Sequence, residues 1–206
     1  MHIKPAAQRT AKLDYLRASL EEYSLEQYCP TSMWSAEHSD YRYQFKLVAG
    51  ETQDYKNLRL GVRNRQGFIS PIPNCLVVTP KLRKLQKKIS HALIKASKKP
   101  GSDIKAYTAE RPYGLRYVVA RQSKHTGNVL LCFVVSDYSE EYEEIANWLI
   151  DSHFGVTSVS LHFNKEPGNA IFSRNERGYI GHHVLAGGKV IEERVNGLRY
   201  RIGVGD

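Results

Sequence analysis

The sequence is poor in the features that mark exported, membrane-spanning or metal-stapled proteins. Of 206 residues only three are cysteine, at Cys29, Cys75 and Cys132. An odd, widely spaced set argues against a disulfide framework and fits a reducing cytoplasm. No two of the three have the spacing of a zinc site. No apolar run approaches the roughly 20 residues that span a bilayer, so no membrane is expected as a partner. The opening residues Met1-His2-Ile3-Lys4-Pro5 hold no apolar signal-peptide core, which speaks against export. Repeats and low-complexity tracts are also missing.

Acidic residues are scarce beside basic ones, 21 against 30, for a formal net charge of +9. Such an excess points to a polyanionic partner, nucleic acid first, although a basic balance also serves solubility alone. The 41% hydrophobic content is enough to fill a core.

Glycine does not stand where a doubly wound cofactor-binding enzyme needs it, in a turn after a strand that opens a helix. Ala186-Gly187-Gly188 precedes a short strand and reads as a hairpin turn, and after Gly203-Val204-Gly205 only Asp206 follows. No nucleophile stands out. Cys132 lies within Val129-Leu130-Leu131-Cys132-Phe133-Val134 and reads as a buried small hydrophobe. His182 and His183 are adjacent, which puts their rings on opposite faces of a strand rather than around one metal. Glu140-Glu141-Tyr142-Glu143-Glu144 reads as a solvated helix start, where carboxylates complement the helix dipole. No catalytic residue is therefore expected in the chain.

Periodicity predicts helices over residues 5–24, 79–97 and about 140–153, the last with Ile145, Trp148 and Leu149 facing inward. A polar connector runs from about 26 to 40 and a polar loop from 50 to 56. Strands are predicted over 41–49, 58–63, 115–121, 129–135, 156–163, 179–180, 189–193 and 198–202. The order favours an α+β fold with a mainly antiparallel sheet and two to three packing helices.

Two cationic sets stand out. The 79–97 helix carries Lys81, Arg83, Lys84, Lys87 and Lys88, and no acidic residue occurs from 81 to 99. Cations in a row can neutralise phosphates and release counterions, and they can equally form a solvated face. The strand Tyr41-Arg42-Tyr43-Gln44-Phe45-Lys46 places Arg42, Gln44 and Lys46 on one side while Tyr43 and Phe45 pack inward. Arg59 and Arg63 on the next strand belong with Arg42, Gln44 and Lys46.

The motifs also carry a family resemblance. Tyr41-Arg42-Tyr43-Gln44-Phe45-Lys46, Leu60-Gly61-Val62, Ile72-Pro73-Asn74-Cys75 and Gly114-Leu115-Arg116-Tyr117-Val118-Val119 come first. Ser158-Val159-Ser160-Leu161-His162-Phe163-Asn164, Asn169-Ala170-Ile171 and Gly197-Leu198-Arg199-Tyr200-Arg201-Ile202 follow. In that order they resemble the RNA 5-methyluridine (uracil-C5) methyltransferases that modify 23S ribosomal RNA or tRNA. The resemblance runs from about residue 5 to the last residue.

It implies divided labour. Such enzymes have an N-terminal RNA-binding barrel, a central α+β domain and a C-terminal domain that binds S-adenosylmethionine. This chain resembles the central domain, over 41–206, preceded by a helix and connector over 1–40. The expectation is an RNA-binding part, with rRNA favoured over tRNA, whose catalytic domain is missing from the chain and would be its partner. A truncated gene, a stand-alone RNA-binding protein and a non-catalytic interaction module remain as alternatives. Many members also hold a [4Fe–4S] cluster on four cysteines. Cys75 matches the last of these and the other three have no counterpart, so the resemblance implies at most a remnant ligand.

Overall fold

The structure, a computed structural model, describes residues 4–32, 39–52, 57–152 and 154–205. The expected connector and the loop over 50–56 fall partly outside the described residues, as do the first three residues and Asp206.

Alternation builds the sheet. In β1 (Gln44–Glu51), Phe45, Leu47 and Ala49 are buried while Gln44 and Lys46 are exposed. β2 (Leu58–Arg63) runs antiparallel to it, with Val48 opposite Gly61, and the short β3 (Ile69–Ser70) edges β2. On the other side of β1 lies β4 (Leu115–Gln122), antiparallel to it, and then β5 (Val129–Val135), antiparallel to β4. β6 (Val156–Phe163) is parallel to β5, and β7 (His183–Gly187) closes the row antiparallel to β6. The seven strands stand in the order β3-β2-β1-β4-β5-β6-β7. The α+β, mainly antiparallel expectation is met. β5–β6 is the parallel pair because a helix, not a tight turn, joins them.

Two helices cover one face. α2 (Pro80–Ser97) buries Leu82, Leu85, Ile89 and Leu93, and α3 (Glu141–Asp151) buries Tyr142, Ile145, Ala146 and Leu149. They pack against Leu47, Val118, Leu131 and Phe133 of the sheet. Each fully buried aliphatic side chain contributes about 1.5–3 kcal/mol. α2 starts where it does because Thr79 Oγ1 accepts the Leu82 N–H and Pro80 sits in the first turn. The same hydroxyl donates to Gln122 Oε1 at 2.6 Å, which ties the helix start to β4.

The opposite face is covered in part. A second hairpin, β8 (Ile191–Val195) with β9 (Leu198–Ile202), the Val204 that follows it and the segment 164–172 pack Ile191, Val204, Ile171 and Phe172 onto Tyr117, Leu130, Cys132 and Val134. β5 is thereby buried on both faces, which is why it reads as a continuous apolar run rather than an alternating one.

Several expectations are corrected. Trp148 does not face inward but is 43% exposed. Residues 179–180 form no strand, and the strand expected at 189–193 begins at Ile191. β3 and β7 were not expected. Gly187-Gly188 is not a hairpin turn, because β7 pairs with β6 and β8 pairs with β9. Gly187 has φ +76°, and a Cβ there would lie 2.2 Å from the Thr157 carbonyl oxygen, so only glycine fits this close approach to β6. His183 opens β7 while His182 precedes it, so the pair does not share a strand. α1 (Pro5–Glu21), expected to reach residue 24, carries no buried residue.

Candidate nucleic-acid interface

Phe45 and Leu47 point toward α2, so Gln44 and Lys46 must point away from it. Across the β1–β4 pair, Gln44 opposes Arg121 and Lys46 opposes Val119. Arg42 lies just before β1. Its backbone is pinned to the 75–79 turn, donating N–H to Val77 O at 2.7 Å and accepting from the Thr79 N–H at 3.2 Å, while its side chain is exposed. Tyr43 is half-buried at the edge, with Lys124 Nζ 5.9 Å from its ring centre. Lys46 Nζ lies 5.5 Å from the ring centre of Tyr117.

Three concavities adjoin along this face. One of about 500 Å³ joins Arg42, Gln44, Lys46 and Arg121 to apolar Val119, Leu130, Ile171 and Phe172. One of about 390 Å³ shares Arg42, Gln44 and Arg121 and adds Tyr41, Tyr43 and Glu193. One of about 370 Å³ adds Arg63 and Asn169 beside Lys46. Among the described residues Glu193 is the one carboxylate lining the three, and it is already engaged. It accepts the backbone N–H of Lys124 at 2.6 Å and of His125 at 3.1 Å. Burial alone would raise its pKa, but the N–H groups of Arg194, Lys124 and His125 outweigh that and lower it. The remaining polar lining is cationic or neutral, as a polyanion requires.

The basic helix lies on the other side of the sheet, so the two sequence-predicted sets do not form one surface. Lys84, Lys87 and Lys88 are exposed. Lys81 is turned inward: its Nζ donates to Gly127 O at 2.6 Å. A Cβ at residue 155 would meet that Nζ at 2.2 Å, so Gly155 makes room for it. Arg83 pairs with Asp40 at 3.0 Å and also donates to Leu76 O. Arg59 lines a separate groove of about 460 Å³ with Pro71, Ile72, Lys87 and Lys98. Arg63 Nη1 donates to Gly67 O at 3.3 Å, within the β2–β3 turn.

The sequence reading missed Arg121, although its spacing from Tyr117 and Val119 on an alternating strand puts all three on one side. It also missed a buried polar framework. Arg116 is buried and donates to Asn164 O (2.9 Å), Asn164 Oδ1 (3.0 Å), Glu166 O (2.6 Å) and Gly168 O (2.7 Å). Its guanidinium lies 4.6 Å from the Tyr107 ring centre. Asn164 Nδ2 donates in turn to Ala170 O and Ile171 O. Next to it, His162 Nδ1 meets Gly181 O at 2.6 Å while Nε2 accepts the Ser173 N–H at 2.9 Å, which makes the ring neutral with its proton on Nδ1. Burial lowers its pKa, against the opposing effect of the Gly181 carbonyl. This framework holds Ile171 and Phe172 against the concavity that Arg42 and Lys46 line.

Burial pushes the Cys132 thiol up to about 12, as expected of a packed hydrophobe. Cys75 and Cys29 are half-buried free thiols. Three cysteines cannot supply the four thiolates of an iron–sulfur cluster, so the chain's own residues do not fit that group. Among the described residues no three His, Cys, Asp or Glu side chains come together to hold a metal, and no helix is long and apolar enough to cross a membrane.

No protein-family model matches the chain, and no curated protein matches it. A solved structure does: the crystal structure of Pyrococcus abyssi tRNA (uracil-54, C5)-methyltransferase in complex with S-adenosyl-L-homocysteine. The TM-score is 0.63 at 19% identity, over 95% of this chain and 42% of that one. The likeness is one of fold, and this chain spans less than half the length of that enzyme.

Proposed function

We propose that the chain is the RNA-recognition part of an S-adenosylmethionine-dependent RNA uridine-C5 methyltransferase, acting on rRNA or tRNA. The observation that carries this reading is the run of three adjoining concavities along β1 and β4, rimmed by Arg42, Lys46, Arg63 and Arg121. The fold likeness to a tRNA uracil-C5 methyltransferase supports it. In this account the cations contact phosphates and set the register of the RNA, which carries no sequence information by itself. Gln44 offers a donor and an acceptor to a base edge. Arg59, Lys84, Lys87 and Lys88 extend the positive field. Methyl transfer, with its cofactor, belongs to a part of such an enzyme that this chain does not cover.

Filter binding of the triple variant Arg42→Ala/Lys46→Ala/Arg121→Ala tests the site. Affinity for an rRNA fragment or a tRNA is expected to fall by more than about tenfold, since each phosphate contact carries part of the binding. Unchanged affinity in a folded variant overturns the site. Comparing the two RNAs side by side identifies the substrate.

A further inference from the structure

On the helix-covered side of the sheet, one large aromatic is placed where packing does not call for it. α3 buries Tyr142, Ile145, Ala146 and Leu149, and with Ile150 packed against the same core these residues seat it on the sheet. Trp148 lies beside the stripe and is 43% exposed. Its indole borders a groove of about 380 Å³ between α3 and α2. The α2 wall offers Ala92 and Ala96, small side chains that leave room beside the ring, flanked by Lys88, His91, Lys95 and Lys99. Among the described residues Glu144 is the one carboxylate lining the groove, and it lies 3.8 Å from Lys99.

We propose that this groove is a second nucleic-acid contact, in which Trp148 stacks on an unpaired base while Lys88, Lys95 and Lys99 hold the adjoining phosphates. An exposed aromatic platform among cations is how single strands are bound without sequence reading, because every base has a π-face and every linkage a charge. A protein partner docking on Trp148 would meet three lysines around one small apolar patch, and the charge favours the polyanion. The groove faces away from Gln44 and Lys46, so it takes a separate segment of the same RNA. This deepens the RNA-binding reading and rests on it.

Tryptophan emission tests the groove. The chain has two tryptophans, so Trp34→Phe leaves Trp148 alone to report. Titration with a single-stranded oligoadenylate of about 12 nucleotides should quench its emission saturably, and added salt should shift the curve to higher RNA. Trp148→Ser should weaken binding about tenfold, whereas Trp148→Phe, which keeps a stacking ring, should stay within about twofold. If filter binding shows RNA bound while emission does not move and Trp148→Ser binds as tightly as its parent, the groove proposal fails and the RNA-binding reading stands. If neither assay detects RNA, both fall. The emission titration needs no substitution at residue 148, so a misfolded Trp148→Ser protein does not spoil the test.

Discussion

Gln44 and Arg121 stand directly opposite each other across the antiparallel β1–β4 pair, on the face turned away from α2. Two side chains in that relation reach the same patch of a ligand with different chemistry. Arg121 supplies fixed charge, and Gln44 supplies a neutral donor and acceptor. Their substitutions should therefore separate. Arg121→Ala should weaken all RNAs alike and flatten the salt dependence by about one unit of slope. Gln44→Ala should change the ranking of RNA sequences and leave the slope alone. Equilibrium binding to a panel of single-base loop variants at several salt concentrations checks both.

The Arg116 framework makes a stability prediction. Arg116→Ala removes the donor from the buried Asn164 carbonyl and from the part-buried carbonyls of Glu166 and Gly168, a loss of about 2–3 kcal/mol. Arg116→Lys should recover little, because one ammonium cannot reproduce the planar fork. Asn164→Ala breaks the same network, so the double variant should cost clearly less than the sum of the singles. Urea unfolding of the four proteins measures this, and simple additivity would show that the two residues act apart.

The elements of the fold differ in how strongly burial marks their sequences. β2, β5 and β6 can be placed to the residue because burial on one or both faces stamps a clear pattern on them, whereas β9 buries no residue and is marked by the Asn196-Gly197 turn before it. α2 was legible from its apolar stripe and its Thr79-Pro80 start. β7 is not, since a half-buried edge strand that ends at Gly187 and runs into Gly188 has no alternation to read and looks like a turn. Helical spacing places Trp148 next to the buried stripe, and spacing cannot tell a stripe's edge from its centre. The Arg42–Gln44–Lys46 side was legible from alternation alone. Arg116 was not, because a cation in a strand reads as solvent-facing until residues 164–168 fold over it. That α2 and the β1 cations lie on opposite sides is a matter of tertiary arrangement, invisible to either segment alone.

His162 makes acid pH destabilising. Its folded pKa lies below the ordinary 6.5, so between those two values the unfolded chain binds a proton that the folded one does not. Stability from this ring is complete above about 6.5 and is lost as pH falls toward the lowered folded value, below which the loss levels off. Protonation would also put a second donor against the Ser173 N–H. Urea midpoints at about pH 7.5 and about pH 5 should differ by less in His162→Gln than in the parent. An identical difference would exclude this ring as the source.

Thiol reactivity should split the cysteines. Cys132 is fully buried, and its pKa is pushed up to about 12. A thiol-disulfide reagent at mildly alkaline pH should modify Cys29 and Cys75 in the folded protein, and Cys132 only after denaturant is added. Prompt modification of all three would contradict the buried position of Cys132 in β5.

The most direct test of RNA recognition on the open sheet face is the slope of log affinity against log salt for a structured RNA, measured on the parent and on Arg42→Ala/Lys46→Ala/Arg121→Ala. Each cation that neutralises a phosphate adds about 0.7–0.9 to the slope. A steep parent slope is expected, becoming shallower by about two to three units in the triple variant. Equal slopes in two folded proteins would contradict it.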